Sequence, residues 1–209
     1  MTPKEPRVWL ERLDSRLAAQ LQFLIEADRL KCVLRGCRIA DGSRRENSAE
    51  HSWHLALFAI VLCEWATDTV DLSRVIQMLV LHDIIEIECG DSPVHDKDLS
   101  ASKAAREAVA AEKLFRILPA DQRVRFHDLW EEFEEAQSPD ARFAKALNRL
   151  QPVLLNHLVG GGTWLDYDVD EEQERSVTRN IAAGSAALWE AAELVFAEAV
   201  QNGWLKPRL

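Results

Sequence analysis

Glycine and proline are scarce in this chain, at 8 and 7 of 209 residues. Alanine, leucine, glutamate and arginine dominate instead, and no strand-like alternation stands out, so an all-α fold is expected. Paired cysteines are also lacking. Cys32, Cys37, Cys63 and Cys89 form no C-x-x-C pair, which argues for reduced thiols and a cytoplasmic chain. No apolar run reaches membrane-spanning length, and nothing at the start reads as a signal peptide, so no membrane partner is expected. Net positive charge is absent as well. The balance is −10, which argues against wrapping a polymeric nucleic acid. Gly160-Gly161-Gly162 lacks the strand, helix and lysine of a phosphate-binding loop. What remains is ample apolar material. Hydrophobic residues make up 47%, enough for one domain with a sizeable core and too much for a disordered chain.

Helical spacing organises most of the chain. Thr2 to Arg7 reads as a frayed terminus. Leu10, Leu13, Leu17, Leu21, Leu24 and Ile25 mark a first helix from Val8 to about Leu34. Gly36 to Asn47 reads as a loop. Asn47, with Glu50 three residues on, resembles a capping box opening a second helix that carries His51 and His54 on one face. Asp71 caps a third helix reaching Cys89, followed by a loop from Asp91 to Ser100 that holds His95, Asp96 and Asp98. A fourth helix runs from Ala101 to Leu118. A fifth, Asp121 to Ala136, has the apolar stripe Phe126, Leu129, Trp130, Phe133. Ser138-Pro139 opens a sixth helix with an expected kink at Pro152. The last helix is expected over Asp170 to Asn202. Six bases, from Arg29 to Arg45, face one acid, Asp41. Such a basic segment on an acidic chain suits a small anionic ligand or, equally, a solvated loop.

The stretch from Met78 to Val94, M-L-V-L-H-D-I-I-E-I-E-C-G-D-S-P-V, is the informative one. His82 and Asp83 interrupt an apolar helix, and Glu86 lies one turn on. Gly90 ends the helix. An imidazole and a carboxylate buried together need a partner. A divalent metal would serve, and so would a plain His–Asp hydrogen bond. His51, on the second helix, is a further candidate ligand. A mixed nitrogen and oxygen set suits Mn, Co, Fe, Zn or Ni, and Mg less well.

Three segments together resemble the HD-domain metal-dependent phosphohydrolases, in the branch related to 5'-deoxynucleotidases. They are R-R-E-N-S-A-E-H-S-W-H at Arg44 to His54, H-D-I-I-E-I-E-C-G-D at His82 to Asp91, and A-K-A-L-N-R-L-Q at Ala144 to Gln151. The resemblance spans about Leu30 to His157. It implies one HD-domain helical bundle over residues 1–209, with its core at about 30–158, a C-terminal helix at about 170–202 packed on it, and a metal site between helices. It also implies His51, His82 and Asp83 as metal ligands. The family's fourth ligand, an aspartate, falls at Asn148, where a neutral amide removes one negative charge from the set. Glu86 and Asp91 match the family's acids beside the metal, and Arg35, one residue of insertion from a direct match, or else Arg38, stands for its phosphate-binding arginine. His54 reads as a core or supporting residue, and His95, His127 and His157 as structural or solvated. Arg44 and Arg45 read as surface charge.

The implied activity is removal of the 5'-phosphate from a (deoxy)nucleoside monophosphate or similar small phosphate ester. The alternatives are a catalytically weakened HD-fold protein that binds a nucleotide or a partner, and another HD reaction on a phosphodiester or triphosphate. A homodimer is allowed for.

Overall fold

The structure, a computed structural model, describes residues 7–92, 95 and 103–207. Thr2 to Pro6 of the polar start lie outside the described residues. So do Pro93, Val94 and Asp96 to Ser102, which include most of the expected loop and the first residues of the expected fourth helix.

The first expected helix is broken up. A 3₁₀ turn, Leu10–Arg12, precedes α1, Ser15–Ala27, and a second, Asp28–Cys32, follows it. Asp14 makes the division. Its backbone is not helical, and its side chain accepts from the amides of Arg16 and Leu17, taking donors that a continuous helix would have used.

The expected loop at Gly36 to Asn47 is a hairpin. Strand β1, Leu34–Arg38, pairs antiparallel with β2, Arg45–Asn47, with Leu34 opposite Asn47 and Arg38 opposite Arg45. The turn is closed by Ile39 N–H to Arg44 O at 3.1 Å and Gly42 N–H to Ile39 O at 2.8 Å. Gly42 sits at φ +71°, a conformation that glycine adopts without penalty.

Asn47 then caps α2, Ser48–Leu62, through a complete capping box with Glu50. Asp71 caps α3, Leu72–Leu81. The expected run to Cys89 is interrupted after Leu81 and resumes as α4, Glu86–Cys89, which Gly90 ends at φ +76°. Next come α5, Lys103–Phe115, and α6, Ala120–Glu135, whose stripe buries Leu129, Trp130 and Phe133. Helix α7, Pro139–Leu158, is capped by Ser138 and continues through Pro152. The triple glycine, all at positive φ, ends it.

After a short α8, Thr163–Asp166, the expected last helix is three shorter ones: α9, Glu171–Thr178, α10, Asn180–Gly184, and α11, Ala186–Gln201. Two contacts explain the break before α11. A Cβ on Gly184 would lie 2.4 Å from Arg142 O, so α10 crosses α7 at backbone range. Ser185 is extended; its Oγ donates to Trp65 O at 2.6 Å and accepts from Leu188 N–H at 3.1 Å.

The described residues form two apolar clusters. One gathers Leu55, Met78, Leu79, Phe133, Leu147, Trp164 and Phe196 from α2, α3, α6, α7, α8 and α11. The other gathers Phe23, Leu30, Ile84, Ile85, Leu114 and Phe115 around α1 and α5. Leu81 belongs to the first cluster and Ile84 to the second. His82 and Asp83 are the residues between them, so the break after α3 places two polar groups at the seam of two cores. No helix among the described residues is long and apolar enough to cross a membrane.

Candidate metal centre

His51 on α2 and His82 and Asp83 after α3 come together, each buried, with one potential ligand atom apiece within 4.8 Å of the others. His82 is set by its own helix. Its Nδ1 donates to Leu79 O at 2.9 Å, which leaves Nε2 with a lone pair. That Nε2 is buried and has no hydrogen-bond partner. It lies 2.9 Å from Asp83 Oδ1 but without hydrogen-bond geometry. Two buried lone-pair atoms facing each other are what a shared cation relieves.

His51 is set by α7. The Gln151 amide nitrogen donates to Glu46 Oε1 at 2.8 Å. The amide oxygen of Gln151 therefore faces His51 Nδ1, at 3.1 Å, and accepts a hydrogen bond from its N–H. His51 Nε2 then points its lone pair at Asn148 Oδ1, 2.9 Å away, and at Asp83 Oδ2, 3.9 Å away. Burial, aided by the Arg35 charge, holds His51 below the usual histidine range, so it stands as the neutral ring a metal requires. His54 lies behind this network, 3.3 Å from the Gln151 nitrogen. Pro152 has no N–H to offer the Asn148 carbonyl one turn back.

Arg35 closes the site from β1. Its Nη1 donates to Asp83 Oδ2 at 2.8 Å and lies 3.9 Å from Asp91; its Nε is 3.6 Å from Glu46. Burial works against the Arg35 charge, but the carboxylates of Asp83, Asp91 and Glu86 outweigh it and strengthen its hold on the proton. Burial would likewise raise the Asp83 carboxyl; the charge of His82 in its protonated form, and that of Arg35, instead hold it well below the usual carboxylate range. Glu86 goes the other way. Burial, then the charges of Asp83 and Asp91, push it up to about 9. Ser48 Oγ donates to Glu86 Oε2 at 2.6 Å and fixes its orientation. Cys37 lines the same cavity, but burial pushes its thiol up to about 11, so it offers no thiolate.

Of the residues singled out from sequence, His82, Asp83, Glu86, Asp91, Arg35 and Asn148 line one cavity, and His51 stands at its back. Arg38 is exposed, donates to Gly42 O at 3.2 Å and lies outside the cavity. Alternation on β1 explains this, because residues three apart face opposite sides of a strand. The basic segment is not one patch. Arg29 pairs with Glu26 and Glu88, Lys31 with Asp28, and Arg44 with Glu50. His95, read from sequence as structural or solvated, lies in the cavity wall 3.0 Å from Glu174. Sequence reasoning did not reach Glu46, Ser48, Gln151, Lys145 or Arg149. The three-residue spacing from Asn148 to Gln151 was the available sign that both share a face of α7.

The donor set of two neutral-capable imidazoles, one ionised carboxylate and one amide oxygen fits a divalent ion. A sequence model of the HD domain matches residues 27–189, which hold every one of these groups. The 5'-deoxynucleotidase HDDC2 of Homo sapiens is 31% identical over 135 residues, 64% of this chain. The chain thus spans 65% of that relative's length. HDDC2 of Mus musculus is 30% identical over 66% of this chain and 68% of its own. A solved structure from Magnetospirillum magnetotacticum MS-1, described as a predicted metal-dependent phosphohydrolase, is 47% identical, with a TM-score of 0.89 over 92% of this chain and 97% of that one. The PH0347 protein of Pyrococcus horikoshii OT3 shares the fold at 21% identity, with a TM-score of 0.63 over 85% of this chain and 98% of its own. With the family match running through all the helices that build the site, and a 47% identical structure superposing on nearly the whole chain, this protein belongs to the HD-domain family.

Proposed function

We propose that this chain is a divalent-metal-dependent phosphomonoesterase that removes the 5'-phosphate of (deoxy)nucleoside monophosphates. The observation that carries the reading is the convergence of His51 Nε2, His82 Nε2 and the Asp83 carboxylate beside Arg35. His51, His82 and Asp83, with the Asn148 amide oxygen alongside, would hold the ion. A divalent cation there supplies Lewis acidity and makes water a better nucleophile near neutral pH. Arg35 offers its guanidinium to phosphoryl oxygens while anchored on Asp83 and Asp91. Glu86 has Oε2 held by Ser48 and Oε1 left to take the proton of the attacking water. It does so when positive charge beside Asp83 keeps it ionised. Asp91 orients Arg35 and the substrate. The names of the 47% identical bacterial structure and of the HDDC2 relatives support this reading. The packing of α10 and α11 on α7 supports treating residues 1–209 as one HD unit.

A second reading is favoured by Asn148, which leaves Asp83 as the lone ionised carboxylate of the ligand set. It is a nucleotide- or partner-binding HD protein with weakened catalysis. The experiment that separates them is turnover of a panel of ribo- and deoxyribonucleoside 5'-monophosphates with Mn, Co, Zn or Mg added, together with elemental analysis. Phosphate release with at least one metal is expected. Bound metal with no release from any nucleotide would select the second reading.

A further inference from the structure

Three cations line the cavity beside His82 and Asp83: Arg35, Lys145 and Arg149. Two of them already have partners. Arg35 donates to Asp83 at 2.8 Å. Lys145 Nζ donates to Glu134 Oε1 at 3.0 Å and lies 4.0 Å from the centre of the Phe133 ring. Arg149 differs. It forms no hydrogen bond or ion pair among the described residues, and its Nε, like that of Arg35, is buried without a hydrogen-bond partner. Of the nearby acids of the wall, Glu134 pairs with Lys145, and Glu174 Oε2 lies 3.0 Å from His95 Nε2 without a hydrogen bond. A buried guanidinium without a partner is costly, and an anion entering the cavity would relieve that cost.

Its position says where that anion sits. Arg149 follows Asn148, whose amide oxygen is 2.9 Å from His51 Nε2. Lys145 is one turn back on the same face of α7. Arg149 therefore reaches the metal cavity from α7, and Arg35 reaches it from β1. A guanidinium binds phosphate oxygens through paired N–H donors.

We infer that Arg149 is a substrate-binding residue that contacts the phosphoryl group, and that the phosphate is gripped between Arg149 of α7 and Arg35 of β1. The inference rests on the phosphomonoesterase reading for the identity of the substrate. It does not rest on it for the binding of a phosphate anion.

The test uses the full chain with Mn added. Inorganic phosphate affinity, thermal midpoint with and without phosphate, metal content, and kcat and KM for dAMP are measured for wild type, Arg149→Met and Arg149→Lys. Arg149→Met is expected to lose about 10- to 100-fold in phosphate affinity and to raise KM by a similar factor. Its metal content should be unchanged, and its phosphate-free midpoint no lower than that of wild type, because an unpaired cation has been replaced by an apolar chain of similar length. Arg149→Lys should recover part of the affinity. Phosphate affinity and KM within twofold of wild type in Arg149→Met would overturn the inference. So would a Met variant that fails to fold, alongside a Lys variant of unchanged phosphate affinity, since Arg149 would then be structural. If phosphate binding depends on Arg149 but no nucleotide is hydrolysed, the inference stands and the phosphomonoesterase reading falls. If dAMP is hydrolysed with KM indifferent to Arg149, the reverse holds.

Discussion

His82 and His51 face the same cavity and are held in different ways. His82 is held by its own helix, through a bond from Nδ1 to the backbone oxygen of Leu79, three residues back. His51 is held from across the fold, by Gln151, 100 residues away in sequence, and through it by Glu46. The first arrangement is local and uses a backbone group that no substitution removes. The second is long-range and depends on two replaceable side chains. The site should therefore be robust on the His82 side and fragile on the His51 side, although both rings would serve one metal.

Glu86 offers the largest departure from this two-ligand view, because it acts without ligating. Glu86→Gln keeps the Ser48 contact possible but removes the proton acceptor. A loss of about 10²- to 10⁴-fold in kcat is expected, the range for general acid–base groups, with metal content retained in elemental analysis. An unchanged kcat would remove Glu86 from the chemistry.

The contrast between the histidines is broken most directly at Gln151. Gln151→Leu removes the amide oxygen 3.1 Å from His51 Nδ1, leaves Glu46 Oε2 at 3.4 Å beside that nitrogen, and loosens the hold on the tautomer. Metal affinity should fall about 10- to 100-fold, as for other residues that orient metal ligands. Calorimetric titration with Mn measures it, and nitrogen chemical shifts of the ring report the tautomer. Equal affinity in variant and wild type would mean that α7 does not set His51.

A smaller and opposite effect is expected at Asn148. Asn148→Asp adds a carboxylate 2.9 Å from His51 Nε2 in nearly the same shape. Coulombic attraction for a divalent ion increases, and Mn affinity should rise by about tenfold, with faster release of phosphate from nucleotides. An aspartate variant that binds metal no better would exclude this position from the ligand set.

The same split between local and long-range determinants explains what the sequence made readable. Caps were legible, because Asn47 with Glu50, Asp71 and Ser138 act within four residues of themselves. His82, Asp83 and Glu86 were legible as polar breaks in an apolar run. The hairpin was not. Its strands are short and carry Arg35, Arg38 and Arg45, and only cross-strand pairing makes them strands. Missing the hairpin also left Arg35 and Arg38 undivided, since strand alternation is what separates them. The break at Ser185 was hidden for a similar reason: the close crossing of Gly184 over Arg142 is a tertiary contact with no local signature. Glu46 and Gln151 carried no motif of their own, and Arg149 declared itself only by lacking a partner in the folded chain.

The central claim is that His51, His82 and Asp83 hold one divalent ion. Titration of the metal-stripped protein with Mn, followed by electron paramagnetic resonance and run in parallel on wild type and His82→Ala, tests it most directly. The account predicts one Mn bound per wild-type chain and none above background in His82→Ala, with the helical circular dichroism of the two alike. Equal Mn binding by both proteins, or none by wild type, would contradict it.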